Sequence, residues 1–160
     1  MQFKLSVAAL AAIVAAVAAI PSVIVLTSYT QPEVATDLVT EAEMIQWLKS
    51  TDAELTFIGE PIPGVNAPEG LVSRAAQNTM VTYCSRRIDN VCGGACTVYN
   101  GGATCLSAPN TQCLAATNNV GFCDRSGCGG SCNQLSSCGT RLDNNYCYTP
   151  GTASILVGNY

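Results

Sequence analysis

The sequence predicts a small disulfide-rich domain, mostly β-hairpins and irregular loops, preceded by a short helical leader segment. Three observations carry this. All ten cysteines of the 160-residue chain lie between Cys84 and Cys147, a density that marks a disulfide scaffold. Glycine clusters with them, in "CGGAC" at 92–96, "YNGG" at 99–102 and "CGGSC" at 128–132. Upstream, "TEAEMIQWLKST" at 40–51 is the one convincing helical pattern outside the extreme N-terminus.

The chain opens "MQFKLSVAALAAIVAAVAAIPS", with Lys4 followed by an Ala/Val/Ile run. This is the pattern of a secretory signal peptide. Val17 and Ala19 suit the small-residue positions before a cut, so residues 1–19 are expected to be removed after Ala19. The competing reading is a retained anchor, since Leu5 to Leu26 could supply the roughly 20 apolar residues of a spanning helix. Cleavage is favoured because Pro21 interrupts the run and the cysteines downstream call for an oxidising compartment.

Residues 20–74 form an acidic leader. Glu33, Asp37, Glu41, Glu43, Asp52, Glu54, Glu60 and Glu69 are opposed only by Lys49 and Arg74. Within it, Thr40 and Glu43 fit a capping box, and Met44, Ile45 and Leu48 make an apolar stripe with Trp47 beside it. "ELTFIGEP" reads as a short strand, and "PIPGVNAPEG" breaks regular structure. The leader is expected to be a propeptide processed after Arg74, because exposed linkers are where proteolysis concentrates. The alternative is a short N-terminal domain that stays attached.

Residues 75–160 form the cysteine-rich body. Its spacing is Cys84-x7-Cys92-x3-Cys96-x8-Cys105-x7-Cys113-x9-Cys123-x4-Cys128-x3-Cys132-x5-Cys138-x8-Cys147. Segments 84–113 and 123–147 each read Cys, Cys-Gly-Gly-small-Cys, Cys, Cys, which points to an internal duplication. Five cysteines per copy is odd, so full oxidation requires at least one bridge between the copies. In a different register, "CSRRIDNVC" at 84–92 echoes "CGTRLDNNYC" at 138–147. Large apolar residues are few here, and five disulfides at about 2–4 kcal/mol each are expected to compensate. The pairing stays open, since spacing does not determine it. The glycines are expected to accept positive φ and allow close approach between crowded bridges. "TVYNGGATC" reads as a hairpin with strands at 97–99 and 103–105.

Several chemistries are disfavoured. The chain contains no histidine, which removes Ser-His and Cys-His nucleophiles. A metal site would leave six cysteines unexplained, so neither metal nor cofactor is expected. Asp89 and Asp143 could serve as a glycosidase pair, but Asp in Asp-Asn turns more often bonds its own backbone. No catalytic residues are therefore assigned. No basic stripe suits nucleic acid. The body sets Arg86, Arg87, Arg125 and Arg141 against Asp89, Asp124 and Asp143, which argues against a cationic membrane-active peptide. Binding remains, and the expected partner-binding residues are Tyr99, Asn100, Tyr146 and Tyr148, aromatic faces edged with amides. Arg87 and Arg141 are expected to hold Asp89 and Asp143 in structural ion pairs.

"TMVTYC", "CTVYNGGATC", "TNNVGFCDRSGCGGSCNQLSSCGTRLDNNYCYTPGTASILV" and the signal-plus-acidic-leader layout resemble small secreted cysteine-rich proteins of filamentous fungi, basidiomycetes especially. The resemblance is densest over 79–157. It implies secretion and an effector-like or stress-linked role, and no catalytic residues. Related proteins carry Lys-Arg before the cysteine block, where this chain has Ser73-Arg74. The expected function is a secreted, non-enzymatic interaction protein acting at a cell wall or at a host or neighbouring cell surface, with a protein or polysaccharide partner. The alternatives are an antimicrobial or toxin-like membrane-active protein and, more remotely, a small Asp-dependent hydrolase.

Overall fold

Helix α1 (Glu41–Ser50) begins where its capping box is written. The Thr40 hydroxyl accepts from Glu43 N at 3.2 Å, and the Glu43 carboxylate accepts from Thr40 N at 2.8 Å. Glu41 and Glu43 sit in the first turn and Lys49 in the last, as the helix dipole favours. Met44 and Leu48, four residues apart on one face, are buried, while Ile45 and Trp47 are half-buried beside them. The structure, a computed structural model, describes residues 38–70 and 78–158. The expected signal peptide, the cut after Ala19 and Arg74 all lie outside the described residues.

Seven strands make one sheet: β1 (Glu54–Gly59), β2 (Thr79–Ile88), β3 (Val91–Gly101), β4 (Thr104–Ala116), β5 (Val120–Arg125), β6 (Gly129–Gln134) and β7 (Cys147–Val157). Their order across the sheet is β1-β3-β2-β4-β7-β5-β6. Only β1 and β3 run parallel; every other neighbouring pair is antiparallel. The expected β-rich, disulfide-rich body is present, and it is one continuous sheet more than a set of separate hairpins.

Side chains alternate between faces along each strand. On β2, Met80 and Cys84 face one apolar cluster with Met44, Leu48, Ile62, Val98, Leu142 and Tyr146. Val81 and Tyr83 face the other, with Leu106, Leu114, Val120, Leu135, Ile155 and Val157. Both faces are covered, which is why the first six residues of β2 are buried without a break.

The expected "TVYNGGATC" hairpin does not form. β3 and β4 are consecutive in the chain, yet β2 lies between them. The turn Asp89-Asn90 pairs β3 with β2 instead, with Ile88 opposite Val91 and Asp89 at φ 53. β1 takes the other edge of β3. With both edges filled, β4 passes to the far side of β2. Gly101 serves a different end, since a Cβ there would run into the Tyr99 ring, which folds back over its own turn.

Residues 38–70 are folded against the body, contributing an edge strand and a helix to it. "PIPGVNAPEG" buries Ile62 at 2% exposure, and Ile62 N donates to the Asn66 side chain at 2.7 Å.

All ten cysteines are paired: Cys84–Cys96, Cys92–Cys113, Cys105–Cys128, Cys123–Cys132 and Cys138–Cys147. One bridge, Cys105–Cys128, joins segment 84–113 to segment 123–147. The two Cys-Gly-Gly-small-Cys stretches occupy equivalent hairpins. Cys84 lies opposite Cys96 and Cys123 opposite Cys132, each with Cα atoms 4.0 Å apart. In each, the register shifts just past the bridge, so that Arg86 faces Gly93 and Arg125 faces Gly129. In each, the second glycine takes positive φ, 84° at Gly94 and 75° at Gly130.

Two outcomes follow. At Gly94 a Cβ would sit 2.8 Å from the Arg86 Cβ, whereas at Gly93 nothing lies within 4 Å. Gly94→Ala should therefore cost at least about 1 kcal/mol more than Gly93→Ala in urea unfolding. Replacing Cys105 and Cys128 together by serine opens a bridge with a sequence separation of 23. That should lower stability by about 3 kcal/mol, with the other four bridges intact by peptide mapping.

Candidate functional site

A cleft of about 910 Å³ opens between helix α1 and the end of the β2–β3 hairpin. Glu43, Gln46, Trp47 and Asp52 line it from the leader. Arg86, Gly93, Gly94 and Asn145 line it from the body. Its rim includes Ile88 and Val91, 61% and 57% exposed, which flank the Asp89-Asn90 turn.

Each wall is held from behind. Cys92, in the β3 wall, is bridged to Cys113 on β4, and Cys84–Cys96 staples β2 to β3 just beneath. The opposite wall is α1, anchored by Met44 and Leu48. The Tyr146 ring backs Trp47 at 4.9 Å between centroids, tilted by 51°. Asn144 and Asn145 form the third side, with φ of 58° and 59°. Asparagine tolerates that left-handed region better than other non-glycine residues. The turn that carries them is fixed by Asp143 N donating to Asn90 O at 2.8 Å, by Leu142 N donating to Tyr146 O at 2.7 Å, and by Cys138–Cys147. The two Arg-(Ile/Leu)-Asp-Asn echoes thus meet in space.

The expected binding residues fall in two places. Tyr99 is half-buried against the second cluster, with its hydroxyl donating to Gly102 O at 2.7 Å; burial, then the nearby Glu60 carboxylate, raises its pKa. Asn100 is buried, and its amide reaches Glu60 O and Pro61 O at 3.3 and 3.4 Å, so it clamps the end of β1. Tyr146 is core, 1% exposed. Tyr148 is half-buried beneath the Arg87 guanidinium, 4.2 Å from its ring centroid. Tyr146 and Tyr148 share the first cluster with Trp47; Tyr99 lies on the opposite face.

The arginine expected to pair with Asp89 does otherwise. Arg87 Nε donates to the Asp89 backbone carbonyl at 2.7 Å, and its guanidinium covers Tyr148. Asp89 and Asp143 are both exposed at the turn contact. Glu43, the carboxylate nearest Trp47 in sequence, is committed to the capping box, whose hydrogen bonds to Thr40 lower its pKa. Among the described residues no cluster of three or more His, Cys, Asp or Glu could hold a metal.

Sequence reasoning missed Trp47, Gln46 and Arg86 as neighbours because it set the leader apart from the body. A usable signal existed. A well-capped helix with a Met/Leu/Trp face must bury that face somewhere, and the body is short of large apolar residues.

Compared with family models, curated proteins and solved structures, the chain matches none.

Tyr146 supplies the test of this packing. Its hydroxyl is buried with no hydrogen bond of normal geometry, and burial raises its pKa well above the usual value. The folded state holds that proton more tightly than the unfolded chain, so stability is complete below about pH 10 and declines as pH rises beyond it. Tyr146→Phe removes an unsatisfied buried group, so it should be neutral or stabilising at neutral pH. In alkaline unfolding it should flatten the loss of stability above about pH 10.

Proposed function

We propose that the protein is a secreted, non-enzymatic interaction protein that acts at a cell wall or at a host or neighbouring cell surface, and that the α1–hairpin cleft takes a segment of polysaccharide. The observation that carries this reading is the composition of the cleft. An aromatic ring, Trp47, stands with the side-chain amides of Gln46 and Asn145 and with charges of both signs at Arg86 and Asp52. Aromatic faces with neighbouring donors and acceptors suit a sugar, which is apolar across its ring and polar at its edge. A single-sign charge field, which an anionic or cationic polymer would call for, is missing from this lining.

Rigidity supports the same reading. The β2–β3 wall is cross-linked, so little ordering entropy is lost on binding. Five disulfides fit a secreted or extracellular setting. No helix among the described residues is long and apolar enough to cross a membrane. The resemblance to fungal small secreted cysteine-rich proteins points to the same compartment and to a role between cells.

Gln46 and Arg86 are exposed and outside both clusters, so Gln46→Ala and Arg86→Ala should fold with normal disulfides. Retention of the oxidised protein on chitin, β-glucan and intact hyphal walls is the measurement. Wild type should be retained on at least one, and the double variant about tenfold more weakly, the equivalent of about 1.4 kcal/mol. Retention on none would end the polysaccharide reading. Unchanged retention of the variant would place the site elsewhere.

A further inference from the structure

We propose that residues 38–70 are a docked module of the working protein, held on the disulfide body without any disulfide of their own. The edge of β3 opposite β2 and the apolar face beside it are then a docking surface built for this strand-and-helix segment. It should stay seated when the backbone is cut between Gly70 and Asn78. This goes beyond the cell-surface reading and does not depend on it.

The first observation is how the segment is attached. It contains no cysteine, and every disulfide lies within 84–147. Apart from the backbone itself its hold is therefore non-covalent, and that hold is extensive. β1 pairs with β3 at six consecutive positions, from Glu54 opposite Ala95 to Gly59 opposite Asn100. Parallel pairing of this kind joins elements that are not in a hairpin. Beyond the strand, Glu60 N donates to Asn100 O at 2.7 Å, and the Asn100 amide returns bonds to Glu60 O and Pro61 O. At the other end of the segment, Val39 N donates to Ala116 O at 3.1 Å, on β4.

The second observation is what the body lacks without it. Val39, Met44, Leu48 and Ile62 are 2–5% exposed. They pack in one cluster with Met80, Val98, Ala115 and Tyr146. Thr82, buried on β2, has Met44 Sδ as its hydroxyl's partner at 3.1 Å. Loss of the segment would uncover this face, take the Met44 sulfur away from the Thr82 hydroxyl and leave β3 with an open edge. Open edges and exposed apolar faces are sites of unwanted pairing. A propeptide that simply departed would create both. The surface fits its own leader closely: at Gly59 a Cβ would run into the Asn100 carbonyl.

A functional consequence follows. One wall of the cleft belongs to α1 and the other to the β2–β3 hairpin. A cut at Arg74 would therefore leave a two-chain protein with its cleft complete.

The test replaces residues 71–77 of the full chain with the recognition sequence of a specific protease. The oxidised protein is cut and run on a native sizing column. Both fragments should elute together at the position of the uncut protein, and separate only in denaturant. Met44→Asp with Leu48→Asp should leave the uncut chain with five disulfides, yet shed the leader fragment once cut. If that variant fails to fold uncut, Gly59→Ala, which disturbs only the β1–β3 contact, should shed the fragment instead. Separation of the wild-type fragments in native buffer overturns the proposal. So does retention of the fragment by a variant that folds, because the named contacts would then not be what holds it. Binding to polysaccharide plays no part in these outcomes.

Discussion

The structure depends on strand β3. Two disulfides fix it, Cys84–Cys96 to β2 and Cys92–Cys113 past β2 to β4. Both of its edges are paired, one to β2 and one to β1. Its inward residues Cys92, Cys96 and Val98 lie in the same cluster as the helix face. The bridge past β2 uses the register shift between Cys84 and Arg86, where the Cys113 sulfur lies 3.4 Å from Arg86 O. A strand so constrained gives the leader a rigid edge to join and gives the cleft a rigid wall.

Sulfur here is core as well as staple. Four of the cysteines, Cys84, Cys92, Cys96 and Cys113, are members of the first apolar cluster. Half-cystines are small and apolar, so they fill space where larger side chains would otherwise be needed. They do not fill all of it. The larger volumes in that cluster come partly from the leader, through Met44, Leu48 and Ile62. The cysteine-rich body and the acidic leader differ sharply in composition, yet they share one core. Composition shifts mark a boundary in chemistry, and here that boundary is not one in packing.

This explains what was legible. The helix was readable to its N-terminal cap, because capping is local: Thr40 and Glu43 satisfy backbone donors within one turn. Full disulfide pairing was readable from count and density. The need for at least one bridge between 84–113 and 123–147 followed from odd numbers, and Cys105–Cys128 supplies it. Strand pairing was not readable. "YNGG" carries a strong turn signal, and the chain does bend at Gly102 and Ala103, but which strand lies beside β3 is decided by two distant competitors for its edges. Turn propensity acts over four residues; edge competition acts over the whole sheet. The cleft was illegible for the same reason, since its walls come from residues far apart in the chain.

The fate of the tyrosines follows from scarcity. In a body with few large apolar side chains, an aromatic ring is worth more inside than out. Tyr146 is consumed by the first cluster, Tyr83 and Tyr99 pack on the second, and Tyr148 is capped by Arg87. The motif that looked like an aromatic binding surface is largely the missing core. What remains at the surface is set by the turns that close the sheet: Ile88 and Val91 at the hairpin end, and the two left-handed asparagines beside them. Trp47 completes that surface from the leader, resting on Tyr146. The buried tyrosine thus contributes to the cleft indirectly, by holding up the one tryptophan that lines it.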